Sequence, residues 1–233
     1  MYEPARYPDQ AVPHTRVAGE HAAFFRRVYA FMSLGLTATG LVAMLVASSP
    51  AALDLIVGNR IVFYGLLLGE LAMVWAFSSM INRISKVTAG AMFFAYALMN
   101  GLTLSVIFLA YTGESIASTF FITAGAFGAL SAFGYATKRD LTGVGSFAMM
   151  GLFGLIIASV VNLFLHSTML YWLTTFMGVI IFTALAAYDT QKIKQLNAGG
   201  EAGDKGAIFG ALILYLDFIN LFLFLLRLLG RRK

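Results

Sequence analysis

Three observations predict an all-α membrane protein built on seven transmembrane helices. The 233 residues are 60% hydrophobic and only 12% charged, whereas an ordinary soluble domain is roughly 25% charged. Mean hydropathy is +0.82. The charged residues collect in short clusters, and between the clusters lie seven apolar runs, each near the about 20 residues that a hydrocarbon core of roughly 30 Å demands of a helix. A chain this poor in polar side chains has too few to coat a water-soluble globule, which argues against a soluble enzyme.

Residues 1–23 hold Pro4, Pro8 and Pro13 with Arg6, Asp9, Arg16 and Glu20 among them, and read as a short disordered tail. The next stretch, Phe24 to Ser48, is too long for a cleavable signal segment and reads as the first span, entered at Arg26 and Arg27. Six more follow: Ile61 to Ile81, Val87 to Tyr111, Ile116 to Ala136, Leu141 to Leu165, Met169 to Tyr188 and Ala207 to Leu229. No proline interrupts any of them, so each helix satisfies its own backbone in lipid. Residues 24–230 are thus one transmembrane domain, with a basic tail at 231–233. Short connections make neighbouring spans antiparallel. In the longest connection, Asn197 to Gly206 contains four glycines and reads as a mobile linker.

With the N-terminus cytosolic, eleven of the sixteen basic residues fall at cytosolic ends, as the positive-inside bias expects. Arg227, Arg231, Arg232 and Lys233 then fall on the other side if the seventh segment spans fully; that segment either spans or turns back partway. Glycines at three- and four-residue spacing, such as Gly65 and Gly69, Gly125 and Gly128, and Gly151 and Gly154, read as close helix contacts.

The net charge of +5 carries no basic stripe interleaved with aromatics, so nucleic acid is not an expected partner. There is no cysteine, which removes thiolate metal sites and cysteine nucleophiles. His14, His21 and His166 are scattered, and neither a metalloprotease helix, a nucleophile elbow nor a phosphate loop is present. No enzymatic activity and no cofactor are expected.

Three acidic residues fall within or at the edge of spans: Glu70, Asp189 and Asp217. Such groups usually face a bundle interior and carry function, because a charge at a helix centre costs about 2.5–3.5 kcal/mol on insertion scales. Asp217 lies near the middle of the seventh span, and helical periodicity puts Asn220 and Arg227 on the same side of that helix, as a polar seam. Asp189 closes the sixth span, and because the sixth and seventh spans are antiparallel the two aspartates can meet. A carboxyl pair at that distance shares a proton and titrates as a unit. When both are charged they repel, and their oxygens suit a hard cation such as Ca²⁺. Plainer readings stand beside these: a helix-end Asp189 paired with Lys192 or Lys194, an Asp217 paired with an arginine of another helix, and Glu70 as a protonated packing residue. Tyr96, Asn100 and Thr103 form a polar stripe on the third span, and Asn162 and His166 another on the fifth; interhelical hydrogen bonds account for both.

At Ala187-Tyr-Asp-Thr-Gln-Lys-Ile-Lys194 and Leu214-Tyr-Leu-Asp-Phe-Ile-Asn-Leu-Phe-Leu-Phe-Leu-Leu-Arg-Leu-Leu-Gly230 the sequence resembles the Bax inhibitor-1, or transmembrane Bax inhibitor motif, family in its bacterial YccA/YbhL-like branch. Ile81-Asn-Arg-Ile-Ser85 and Met99-Asn-Gly-Leu-Thr-Leu-Ser105 add support. The resemblance implies six helices around a central seventh and a pH-sensitive Ca²⁺ leak of the bacterial inner membrane. Its di-aspartyl sensor would be Asp189 and Asp217, which would also meet calcium transiently. It implies an arginine that locks the aspartates in the closed state, for which Arg83 is the nearest candidate, and a path lined by Glu70. Asn220 and Arg227 are expected to support the gate. The partners implied are lipid, protons and calcium. An alternative also suggested by bacterial relatives is an interaction protein that modulates a membrane-anchored ATP-dependent protease through residues 1–23.

Overall fold

The computed structural model describes residues 14–197 and 203–233, with the backbone alone for 14–18 and Glu20. Among the described residues, seven helices are long and apolar enough to cross a membrane: α1 (His14–Ser48), α3 (Arg60–Met80), α4 (Lys86–Leu104), α6 (Gly113–Ala136), α7 (Thr142–Leu165), α8 (Thr168–Leu196) and α9 (Gly203–Leu229). Two single-turn helices, α2 (Pro50–Leu53) and α5 (Ile107–Ala110), complete the order, with a π-helical turn at Asp54–Gly58. The chain is an all-α membrane protein.

Side chains in the connections start the helices. Asn59 Oδ1 accepts from the backbone N–H groups of Ile61 and Val62 at 3.0 and 3.3 Å, Ser85 Oγ from Thr88 at 3.1 Å, Thr112 Oγ1 from Ser115 at 3.3 Å and Ser167 Oγ from Leu170 at 3.4 Å. Each satisfies a donor that the first turn leaves orphaned.

Several boundaries differ from the sequence reading. The first helix begins at His14, so residues 14–23, expected as tail, are its first turns; residues 1–13 lie outside the described residues. Of the expected linker, 198–202 lie outside them too, and α9 already begins at Gly203. The third expected span is broken between Leu104 and Ile107, where Ser105 and Val106 shift to i→i−3 bonds on Leu102 and Thr103 and the Ser105 hydroxyl donates to Leu102 O at 2.6 Å. A serine that competes for the helix's own carbonyl loosens it at that point. Beyond Tyr188, α8 runs on to Leu196 as a polar extension past the apolar span.

The surface is inverted relative to a soluble protein: Ile61, Trp75, Phe121, Phe147 and Phe164 are all exposed, the arrangement a lipid solvent favours. Within the bundle α9 is the most buried helix, with 67% of its most apolar stretch enclosed against 11% for α3 and for α7. It packs against α1, α4, α6 and α8; α7 lies on α8, and α3 lies on α4. Four helices rather than six line it closely, with α3 reaching it through the stacked Phe77 and Phe209 rings at 6.3 Å. Edge-to-face aromatic pairs fasten the rest: Phe93 and Tyr96 on Tyr215 at 5.9 and 5.8 Å, and Phe120 and Phe127 on Phe218 at 5.4 and 5.5 Å. Pairs of this kind add about 0.5–1.5 kcal/mol each beyond packing.

The seventh long helix is continuous and ends at the opposite face from its start. There the C-terminal tail is stitched to the α5–α6 turn: Thr112 N donates to Arg231 O and Lys233 N to Ala110 O, both at 3.1 Å. At the other end Asp204, in the first turn of α9, accepts from Arg27 at 2.7 Å and Lys86 at 3.4 Å. Lys205 donates to Ile84 O at 3.3 Å. The seventh segment therefore runs from one end of the bundle to the other and does not turn back partway.

Close helix contact falls on glycines other than most of those chosen from spacing. Gly65, Gly125, Gly128 and Gly154 face open space, although Gly69 abuts Met99 and Gly151 abuts Ile181. The tightest approach is at Gly134 of α6, where any Cβ would run into the Ala187 carbonyl of α8. Spacing finds small residues but not which side of the helix meets a neighbour. Gly134→Ala should lower the thermal unfolding midpoint of the detergent-purified protein, by the equivalent of about 1–3 kcal/mol for an overpacked contact, while Gly128→Ala, which meets nothing and removes a glycine from a helix interior, should not lower it; differential scanning fluorimetry reads both.

Candidate functional site

Asp189 and Asp217 come together. After Asp189, α8 continues through Thr190 to Leu196, whereas α9 runs from Gly203 to Leu216 before reaching Asp217. The antiparallel pair is staggered by about 10 Å at a rise of 1.5 Å per residue. That stagger brings the two carboxyl groups within hydrogen-bonding reach of each other. Asp217 is buried and Asp189 half-buried. No ion pair reaches either aspartate among the described residues. Lys194, one of the cations expected to neutralise Asp189, donates instead to Tyr135 O at 2.7 Å and sits over the Tyr135 ring. Lys192, the other, acts on Asp189 through its charge without forming an ion pair, and its ammonium lies 5.7 Å from the Tyr188 ring centroid.

Asp217 Oδ2 is buried and receives no hydrogen bond from any described donor. Two carboxylates have only acceptors to offer each other, so a hydrogen bond across the pair requires one proton between them. A proton on one carboxyl supplies the missing donor and removes one of two adjacent negative charges. The arrangement has room for one proton between two carboxyl groups. Among the described residues no three His, Asp or Glu side chains gather, and two carboxyl groups fall well short of the 6–8 oxygens a resident Ca²⁺ takes.

Glu70 occupies a separate site. Its Oε1 accepts from the Thr103 hydroxyl at 2.7 Å and its Oε2 from the Asn100 amide at 3.2 Å. Asn100 Oδ1 in turn accepts from the Tyr215 hydroxyl at 3.1 Å, and the Tyr215 and Thr39 hydroxyls lie 2.6 Å apart. Thr39 also reaches Ala97 O at 2.8 Å. This network joins α1, α3, α4 and α9, and its donors converge on Glu70. The polar stripe of the third span is thus an interhelical device, as expected. Thr39 and Tyr215 were not legible, because a lone hydroxyl in an apolar run carries no distinguishing signal.

The remaining candidates lie elsewhere. Asn220 donates to Leu216 O of its own helix at 2.8 Å, and so does not extend a polar seam from Asp217. Arg227, about 15 Å further along the axis at helical rise, stacks on Tyr171 and Phe224 at the far end of α9. Arg83 is exposed in the α3–α4 turn and makes no side-chain hydrogen bond or ion pair among the described residues. Asn162 closes the α7–α8 turn by accepting from Ser167 N at 2.9 Å, and His166 adopts φ 50° at its corner. That stripe serves a turn, not a helix interface. Near the pair, Gln191 links α8 to the α6–α7 connection: Nε2 donates to Arg139 O and Oε1 accepts from Leu141 N, each at 2.8 Å.

The profile of the family described as inhibitor of apoptosis-promoting Bax1 matches residues 21–233. The chain belongs to the Bax inhibitor-1 family. Among its relatives, the inner membrane protein YbhL of Escherichia coli K12 is 47% identical over 215 residues, covering 90% of this chain and 92% of that protein. An uncharacterised protein of Borreliella burgdorferi is 44% identical over 214 residues, with the same coverage. A membrane protein of Streptococcus pyogenes serotype M1 is 35% identical, covering 89% of this chain and 92% of its own length. In this Bax inhibitor-1 family chain the two motifs that carried the resemblance are the segments of α8 and α9 that meet at the aspartates.

Tyr215→Phe keeps the aromatic packing of this family member and removes one hydroxyl from a buried network. It leaves Asn100 Oδ1 without its donor, so a loss of about 1–3 kcal/mol is expected, seen as a lower unfolding midpoint. An unchanged midpoint would mean that the network contributes nothing to holding α9.

Proposed function

We propose that the protein is a passive calcium leak of the bacterial cytoplasmic membrane, gated by the proton held between Asp189 and Asp217. The observation that supports this reading is a carboxyl pair at the α8–α9 contact with no ion pair to neutralise it among the described residues. The family and its relatives support a membrane protein; YbhL is named as an inner membrane protein, and none of these names describes an enzyme.

At low pH the shared proton bonds the two carboxyl groups and holds α8 against α9. As pH rises the proton leaves, two negative charges face each other, and the contact is driven apart by repulsion. The freed oxygens then offer a hard cation a passing site on a path with Glu70. Calcium is cargo in this scheme, not a resident cofactor, and Arg83 would act on the pair only after moving from its exposed turn.

Calcium entry into dye-loaded proteoliposomes, followed from about pH 5 to about pH 8, tests the gate. The intact protein should leak more as pH rises. Asp189→Asn and Asp217→Asn cannot lose the proton and should flatten the pH dependence by leaving a hydrogen bond at every pH. No flux above empty liposomes at any pH would overturn the channel reading and favour an interaction protein that modulates a membrane protease.

A further inference from the structure

A cavity of about 560 Å³ opens where the ends of α7 and α9 meet the start of α8, with His166, Ser167, Tyr171, Trp172, Arg227 and Arg232 among its walls. Two guanidinium groups attend the same aromatic ring there: Arg227 lies 5.2 Å and Arg232 5.5 Å from the Tyr171 centroid. Arg232 also donates to the Tyr171 hydroxyl. Both arginines are held in place before any ligand arrives. Arg227 rests on Phe224 as well, at 5.2 Å, and the tail carrying Arg232 is bridged to Tyr111 and anchored by Arg231 N on Ser115 Oγ at 2.9 Å.

Neither guanidinium has a carboxylate partner among the described residues; the ion pairs found there are those of Asp204 at the opposite end. Two like charges on one ring repel, and an anion between them removes the repulsion. The planar forks of arginine match the oxygens of a phosphate group. The position narrows the source of that phosphate. The cavity lies at the helix ends, where tyrosine and tryptophan sit at headgroup level, and the adjoining Leu163, Phe164 and Met169 are strongly exposed and apolar.

We propose that this cavity binds the headgroup phosphate of an anionic phospholipid, with Arg227 and Arg232 on the phosphate oxygens and Leu163, Phe164 and Met169 against the acyl chains. A free phosphate ion shares the headgroup chemistry but has nothing to lay against those apolar side chains.

Native mass spectrometry of the full chain in detergent, with phosphatidylglycerol or phosphatidylcholine added at equal concentration, tests the site. The intact protein should retain phosphatidylglycerol with about tenfold preference, because both lipids offer a phosphate but the choline of phosphatidylcholine adds a third cation beside Arg227 and Arg232. The double variant Arg227→Gln, Arg232→Gln should lose the preference. Arg60→Gln, an exposed charge in the first turn of α3, should keep it. Arg232→Gln alone changes one exposed tail side chain, cannot be dismissed as a folding failure, and should lower the preference about threefold. Undiminished phosphatidylglycerol retention in Arg232→Gln or in the double variant would overturn the proposal. So would displacement of the lipid by millimolar inorganic phosphate, which would mark a site for soluble anions.

Discussion

A carboxyl group enclosed among apolar helices must be neutralised by a cation, a set of donors or a proton, and this bundle gives its buried acids different solutions. Glu70 is satisfied by donors, the Asn100 amide and the Thr103 hydroxyl. Asp217 has neither donor nor ion pair among the described residues, and the carboxyl group beside it is another acid. A proton shared with Asp189 is the solution proposed here. The α8–α9 contact, with its stagger, exists in a form that makes this sharing possible. Bundles in lipid gain little from hydrophobic burial and depend on close packing and polar contacts between helices, so the carboxyl pair sits where the α8–α9 contact is sensitive to charge.

Helix α9 joins the two acidic sites. Tyr215, which binds Asn100 and Thr39, and Asp217, which meets Asp189, are two residues apart and so project to nearly opposite faces of the helix. A rotation of α9 that parted the aspartates would also draw Tyr215 away from α1 and α4. The Glu70 network and the aromatic pairs around Tyr215 and Phe218 therefore hold α9 in the rotation at which the aspartates meet. The N-terminal turn of α9 is tied by Asp204 to Arg27 and Lys86, but those groups are partly exposed and such ion pairs contribute at most about 1 kcal/mol.

The seven spans were legible because a membrane sets helix length and excludes charge, so lengths and clusters mark the spans without any knowledge of packing. The aspartates were legible for the same reason. Packing partners were not. Periodicity placed Asn220 and Arg227 on the side of Asp217 but said nothing of the axial distance that takes Arg227 to Tyr171, nor that Asn220 would bond its own helix. Glycine spacing pointed to Gly125 and Gly128, whereas the backbone approach is at Gly134. Helix ends were misread where polar sequence continues a helix into water, as in α8 beyond Tyr188, and where a serine breaks an apolar run, as at Ser105. Thr39, Tyr215 and Gln191 act through partners far away in sequence, which no local pattern reveals.

The central claim is that Asp189 and Asp217 hold one proton between them. Infrared difference spectroscopy of the protein in lipid, titrated with alkali, observes this directly through the stretching band of a protonated carboxyl group. The account predicts a band that disappears in one step as pH rises and that is absent or displaced in both Asp189→Asn and Asp217→Asn. A band that survives unaltered in both variants would place the proton elsewhere and contradict the account.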